Sequence, residues 1–151
     1  MLKNILYVVF GGIFCTQVEA FTCYVTLAKD SCWVDYAVSM NVKDTATGTV
    51  LTTVAIAYNQ TWGRQSFTCQ PGQTLSFAAQ YSPSIWQGDR DKWYFGENYI
   101  SLPTKIASNS IAWNIPICYA TDFAGVSIPP SATGHCACDF KNIPTINATA
   151  S

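Results

Sequence analysis

The residue types with chemical potential gather in two places along the chain. His135-Cys136-Ala137-Cys138 sets the only histidine beside two cysteines, all of them metal-ligand types. Zinc sites space their cysteines by two to four residues and add a second ligand pair. The Cys-x-Cys spacing fits that pattern poorly, so no metal is expected, and paired cysteines account for the cluster better. The second place is Asp89-Arg90-Asp91, set between Trp86 and Trp93-Tyr94. Tryptophan, tyrosine and arginine are the types that anchor partners at interfaces, and flat aromatic faces beside carboxylates also suit sugars. Asp89-x-Asp91 is a fragment of a calcium loop, but such a loop needs about six oxygen ligands. Trp62, beside Gly63-Arg64, is a weaker candidate of the same kind. The candidate contact set is therefore Trp62, Trp86, Asp89, Arg90, Asp91, Trp93 and Tyr94. A catalytic reading finds little to build on. The chain has no Gly-x-Ser-x-Gly elbow, no His-Glu-x-x-His helix and no phosphate loop. The expectation is a non-enzymatic protein without a cofactor.

The first twenty residues bear on compartment. Lys3 precedes the apolar run Ile5–Cys15, and Val18 and Ala20 are small residues ahead of Phe21. That order is the pattern of a secretory signal peptide, read as residues 1–20. The apolar run is shorter than the roughly 20 residues a membrane-spanning helix needs, and no spanning segment is expected after cleavage. The cut would discard Cys15 and leave Cys23, Cys32, Cys69, Cys118, Cys136 and Cys138. An even set in an exported chain argues for disulfides formed in an oxidising compartment. A Cys136–Cys138 bridge is disfavoured by local geometry. The spacing does not choose among the remaining pairings, although Cys136 and Cys138 are expected to reach two different strands.

The elements that must position these residues read as strands. Val34, Tyr36, Val38, Met40 and Val42 alternate with smaller or polar residues, and so do Val50, Thr52, Val54, Ile56 and Tyr58. Asp44–Gly48 falls between them, which is a hairpin pattern. Arg64–Cys69 and Leu75–Tyr81 flank Gln70-Pro71-Gly72-Gln73, where proline presets one dihedral and glycine takes the positive φ. A loop is expected from Ser82 to about Asp91, with short strands near Trp93 and over Tyr99–Leu102. Ile111–Tyr119 alternates again, and Pro116 inside it predicts an edge strand or a bulge. Cys118 has the opposite parity, so either the strand bends or Cys118 faces away from the core. Trp33 and Trp113 fall in strand-like stretches, and a last strand is expected over about His135–Lys141. The sum is an all-β, antiparallel two-sheet sandwich of immunoglobulin-like or jelly-roll-like type, crosslinked by disulfides. It is expected over residues 21–141, followed by a flexible tail over 142–151. Asn59-Gln60-Thr61 and Asn147-Ala148-Thr149 match the glycosylation acceptor pattern.

Composition narrows the function classes. The chain is 151 residues, 49% hydrophobic, 14% aromatic and 11% charged, with a formal net charge of -1. It is too apolar for a disordered segment and offers no basic surface for phosphates, so nucleic acid is not an expected partner. Charged residues are depleted at interface centres, which makes a low-charge chain suited to wide protein contacts. Phe21-Thr22-Cys23-Tyr24-Val25-Thr26-Leu27, Cys32-Trp33 and Cys136-Ala137-Cys138-Asp139-Phe140 give it the look of small exported bacterial proteins. In this the chain resembles the periplasmic accessory subunits of type IVB (Dot/Icm) secretion outer-membrane cores. The resemblance is a general one and implies a structural or interaction subunit of a cell-envelope assembly. Its partners would be other envelope or secretion-complex proteins, in the periplasm or at the outer membrane. The alternative expectation is a secreted module that binds a glycan, another small ligand or a surface through exposed tryptophans.

Overall fold

The computed structural model describes residues 11–13, 15, 19–132 and 134–146. Most of the proposed signal peptide and the end of the tail, Asn147 included, lie outside the described residues. Eight strands form two sheets: β1 (Phe21–Lys29), β2 (Ala37–Asp44), β3 (Val50–Ile56), β4 (Trp62–Cys69), β5 (Thr74–Ser82), β6 (Tyr94–Phe95), β7 (Ile100–Ser101) and β8 (Ala112–Tyr119). The three-stranded sheet has the order β4-β1-β8 and the five-stranded sheet the order β3-β2-β5-β6, with β7 also on β5. The expected all-β two-sheet fold is what the chain adopts, with one departure from a purely antiparallel plan. β8 runs parallel to β1, Val25 opposite Ile115 and Leu27 opposite Ile117.

Period two explains most of this. Val38, Met40 and Val42 of β2 face inward beside Tyr81, Ala79 and Phe77 of β5. Val54 and Ile56 of β3 continue the same face. The hairpin turn is built by Asp44, whose Oδ1 accepts the Ala46 and Thr47 amides at 2.8 and 3.2 Å. Gly48 then takes the left-handed conformation at φ 71°. Gln73 donates to Asp44 Oδ2 at 2.6 Å; chiefly for that reason the Asp44 carboxyl titrates below its ordinary value. The Pro71-Gly72 turn forms as expected, yet it carries the chain from one sheet to the other, because β4 pairs with β1 and β5 with β2.

The sheets are stitched along both sides. At one corner β3 and β4 approach so closely that a Cβ on Gly63 would sit 2.9 Å from the Ala55 carbonyl oxygen. At the other, Gly96 bridges Phe123, Glu97 N donates to Asp122 O and Ala124 N to Phe95 O, each at 2.9 Å. Pro116 sits on β8, an edge strand of its sheet, where its missing donor is tolerated. One end of the core is plugged by Trp33, with ring centroids 4.6 Å from Tyr81 and 5.2 Å from both Tyr36 and Tyr119. Burying a large apolar side chain stabilises by about 1.5–3 kcal/mol, so this fully buried tryptophan is among the larger single contributions.

Three disulfides close the fold: Cys23–Cys69, Cys32–Cys136 and Cys118–Cys138. They fit an oxidising, extracytoplasmic compartment, and no helix among the described residues is long and apolar enough to cross a membrane. Three expectations need correction here. Trp33 and Tyr36 belong to the turn before β2, where Trp33 serves as a plug rather than a strand residue. His135–Lys141 forms no strand either. Cys136 is drawn to Cys32 in the β1–β2 connection and Cys138 to Cys118 on β8, so only one of the two reaches a strand. Those anchors lead the segment across the end of β1 instead of alongside a ladder. Ser31 fastens it further, with Ser31 N donating to Ala137 O and Ser31 Oγ to His135 O, both at 3.1 Å. Past residue 141, Ile143 is buried.

Candidate functional site

The loop between β5 and β6 is organised by one carboxylate. Asp89 accepts the Tyr81 hydroxyl, the Tyr94 hydroxyl at 3.4 Å and the Trp86 amide at 3.4 Å. Tyr81 and Tyr94 stack at 6.1 Å beneath it, so inward-facing strand residues hold an outward loop. Burial, then the Asp89 hydrogen bond, raises the Tyr81 phenol well above its ordinary value. Two tight turns complete the loop, with Asp89 N bonded to Trp86 O and Lys92 N to Asp89 O. Gly88 and Asp91 take positive φ, 90° and 61°, which closes the two turns. The Lys92 ammonium lies 4.8 Å from the Tyr94 ring centroid.

The sequence candidates therefore divide. Tyr94 is buried and faces the core, because it alternates with Trp93 and Phe95 on an edge strand; it is a support, not a contact residue. Asp89 is taken up inside the loop and provides no free ligand pair for calcium. Trp86 is half-buried against the core. Trp93 is 36% exposed, and Arg90 and Asp91 are exposed. Trp62 lies on the far corner, half-buried, with the Arg64 guanidinium 5.3 Å from its ring centroid. Arg64 Nε in turn donates to Thr26 Oγ1 at 2.7 Å, and Thr26 donates to Asn114 Oδ1 at 2.8 Å. Asp30, Cys32 and Cys136 bring ligand-type atoms within 4.8 Å of one another. Both sulfurs there are joined in a disulfide, and Asp30 instead accepts the Cys32 and Ala120 amides, each at 3.0 Å.

Two surface features remain, and the sequence pattern hid both. The first is a set of exposed aromatic rings. Phe95 is 63% and Tyr99 69% exposed; Phe95 lies on β6, opposite Ala78, and Trp93 and Tyr99 directly precede β6 and β7, the two short strands that pair with β5. The second is a cleft of about 560 Å³ on the outer face of the five-stranded sheet. Its floor is Ala37, Ser39, Ala55 and Gln80, and Ser84, Arg90 and Asp91 belong to its loop wall. The alternation that predicted the inner face left these outward residues looking like plain strand backs.

A third finding concerns Lys29. The residue is 3% exposed, and its ammonium donates to the carbonyls of Tyr36 at 2.7 Å, Val34 at 3.1 Å and Ala57 at 3.1 Å. Burial lowers its pKa, with Asp35 acting in the opposite sense. One side chain thus ties β1 to the turn before β2 and to the end of β3. These features define a disulfide-crosslinked, two-sheet β domain with an ordered display loop. No protein-family model matches the chain, and no curated protein matches it either.

Proposed function

We propose that this chain is a non-enzymatic structural and interaction subunit of a bacterial cell-envelope assembly, of the kind found in secretion outer-membrane cores. The observation that carries the reading is the exposure of three aromatic rings, Trp93, Phe95 and Tyr99, on and directly before the short strands β6 and β7. Aromatic side chains are enriched at protein interfaces, and such rings on an ordered backbone cost little conformational entropy to dock. The low charge of the chain and its resemblance to accessory secretion subunits point the same way. A glycan module stacking sugars on Trp86 and Trp93 has less support, since Trp86 packs inward.

The test is isolation of the protein from its native envelope in mild detergent, with co-purifying chains identified by mass spectrometry. Stoichiometric envelope proteins are expected, and Phe95→Asp with Tyr99→Asp should release them while the circular dichroism spectrum stays unchanged. A clean monomer from wild-type envelopes overturns the reading.

A further inference from the structure

We infer that the cleft on the outer face of the five-stranded sheet is a binding site for a neutral saccharide. This goes beyond the interaction reading, because the cleft is lined by neither Trp93 nor Phe95 nor Tyr99. Its volume, about 560 Å³, lies within the range of small-ligand sites. The shape follows from the sequence. β2 and β3 place Ala37, Ser39 and Ala55 side by side on the outer face, and residues this small leave a hollow where larger ones would fill it. The loop raised by Asp89 then supplies a wall.

The chemistry of the lining selects the ligand. Ser39, Gln80, Ser84, Arg90 and Asp91 bring hydroxyls, an amide, a guanidinium and a carboxylate to one hollow. Among the described residues, none of these side chains has a hydrogen-bond or ion-pair partner, whereas Asp89 next door is fully engaged. Planar groups with paired donors or acceptors match vicinal hydroxyls, and the alanine methyls offer apolar contact to the C–H faces of a sugar ring. Arg90 and Asp91 cancel in charge, which favours a neutral ligand over an acidic one. An extended peptide is a poorer occupant. β2 and β5 are flanked by partners on both sides, so their backbone groups cannot accept an added strand, and Gly63 of β4 crowds the Ala55 carbonyl on the end strand β3.

The experiment titrates the isotope-labelled mature protein with maltotriose, cellotriose and tri-N-acetylchitotriose, following backbone amide shifts by NMR. Triglycine is the peptide control. At least one sugar is expected to give saturable shifts confined to Ser39, Ala55, Gln80 and the loop through Asp91, with a dissociation constant near about 1 mM. Arg90→Ala, on an exposed loop position, should weaken binding about tenfold or more, the loss of an interaction worth about 1.4 kcal/mol. Ala55→Tyr should abolish it by filling the floor, with dispersed amide signals confirming the fold. Three results overturn the inference: no saturable shifts with any sugar, shifts centred on Trp93 and Phe95, or equal binding of triglycine.

Discussion

Replacing Lys29 by methionine keeps the length of the side chain and removes its ammonium, which isolates what three carbonyls gain from one buried cation. The carbonyls differ in what they retain. Val34 O still accepts the Asn59 amide at 3.2 Å, and Ala57 O the Gln60 amide at 3.0 Å. Tyr36 O, the closest partner at 2.7 Å, has no other donor among the described residues. One orphaned buried carbonyl costs about 1–3 kcal/mol, and each weakened acceptor loses roughly 0.5–1.5 kcal/mol. Against this stands relief of the ammonium's desolvation and a gain of about 1 kcal/mol from burying apolar atoms. The balance is a destabilisation of about 2–4 kcal/mol. The assay is urea unfolding followed by tryptophan fluorescence, where a slope of about 1–3 kcal/mol per molar converts the loss into a midpoint lower by at least about 0.7 M. The pH dependence has a definite sign. Burial lowers the folded pKa of Lys29, so the folded chain binds fewer protons than the unfolded chain between that value and the ordinary lysine value. Across that alkaline window the wild type gains stability relative to Lys29→Met as pH rises. An unchanged or higher midpoint for the variant would refute the view that Lys29 organises these three segments.

Tyr119 is fully buried, and its hydroxyl has no partner among the described residues. Tyr119→Phe should leave the urea midpoint unchanged or raise stability by up to about 1 kcal/mol, since an unsatisfied polar atom is removed. Burial raises the phenol pKa of Tyr81 and Tyr119 above the ordinary value. The folded chain therefore holds protons that the unfolded chain releases, and stability should fall as pH rises past about 10. Ultraviolet titration should show those two phenols ionising only as the protein unfolds. Asp89→Ala removes the hub of the display loop; it should cost about 1–3 kcal/mol and accelerate amide exchange from Trp86 to Lys92, leaving β2 and β3 protected. Replacing Cys118 and Cys138 by alanine should cost about 3 kcal/mol, and replacing Cys32 and Cys136 about 5 kcal/mol, because the cost rises with the logarithm of the loop closed, here separations of 20 and 104. Thermal unfolding of the two double variants checks the order.

Legibility followed burial geometry. β2, β3 and β5 were readable because one face is packed and the other open, which writes alternation into the sequence. β1 was not, because its Val25–Asp30 stretch is buried on both faces and a doubly covered strand loses its period. The parity of Cys118 was informative: it does face away from the core, toward Cys138. Cys23, Cys32, Cys69, Cys118, Cys136 and Cys138 are all paired, but which pairs form depends on Cys32 sitting in a turn whose following residues, Trp33 to Tyr36, read as strand. At the display loop, composition singled out the segment that Asp89 organises, and it took the structure to separate buried Tyr94 from exposed Trp93. The cleft was illegible, since small outward residues on adjacent strands become a hollow only when their register is known.

The connectivity of the bridges imposes a schedule on the chain as it enters an oxidising space from its N-terminus. Of the six paired cysteines Cys23 and Cys32 come first, and neither belongs with the other. Cys69 soon satisfies Cys23, but Cys32 must wait for a partner 104 positions further on. Cys118 waits for Cys138, which arrives just after Cys136. Two of the three covalent locks therefore close only when the end of the domain is present and β8 has docked against β1. An incomplete chain exposes two unspent thiols, Cys32 and Cys118, and those thiols are a chemical mark by which thiol-exchange enzymes can tell unfinished copies from finished ones.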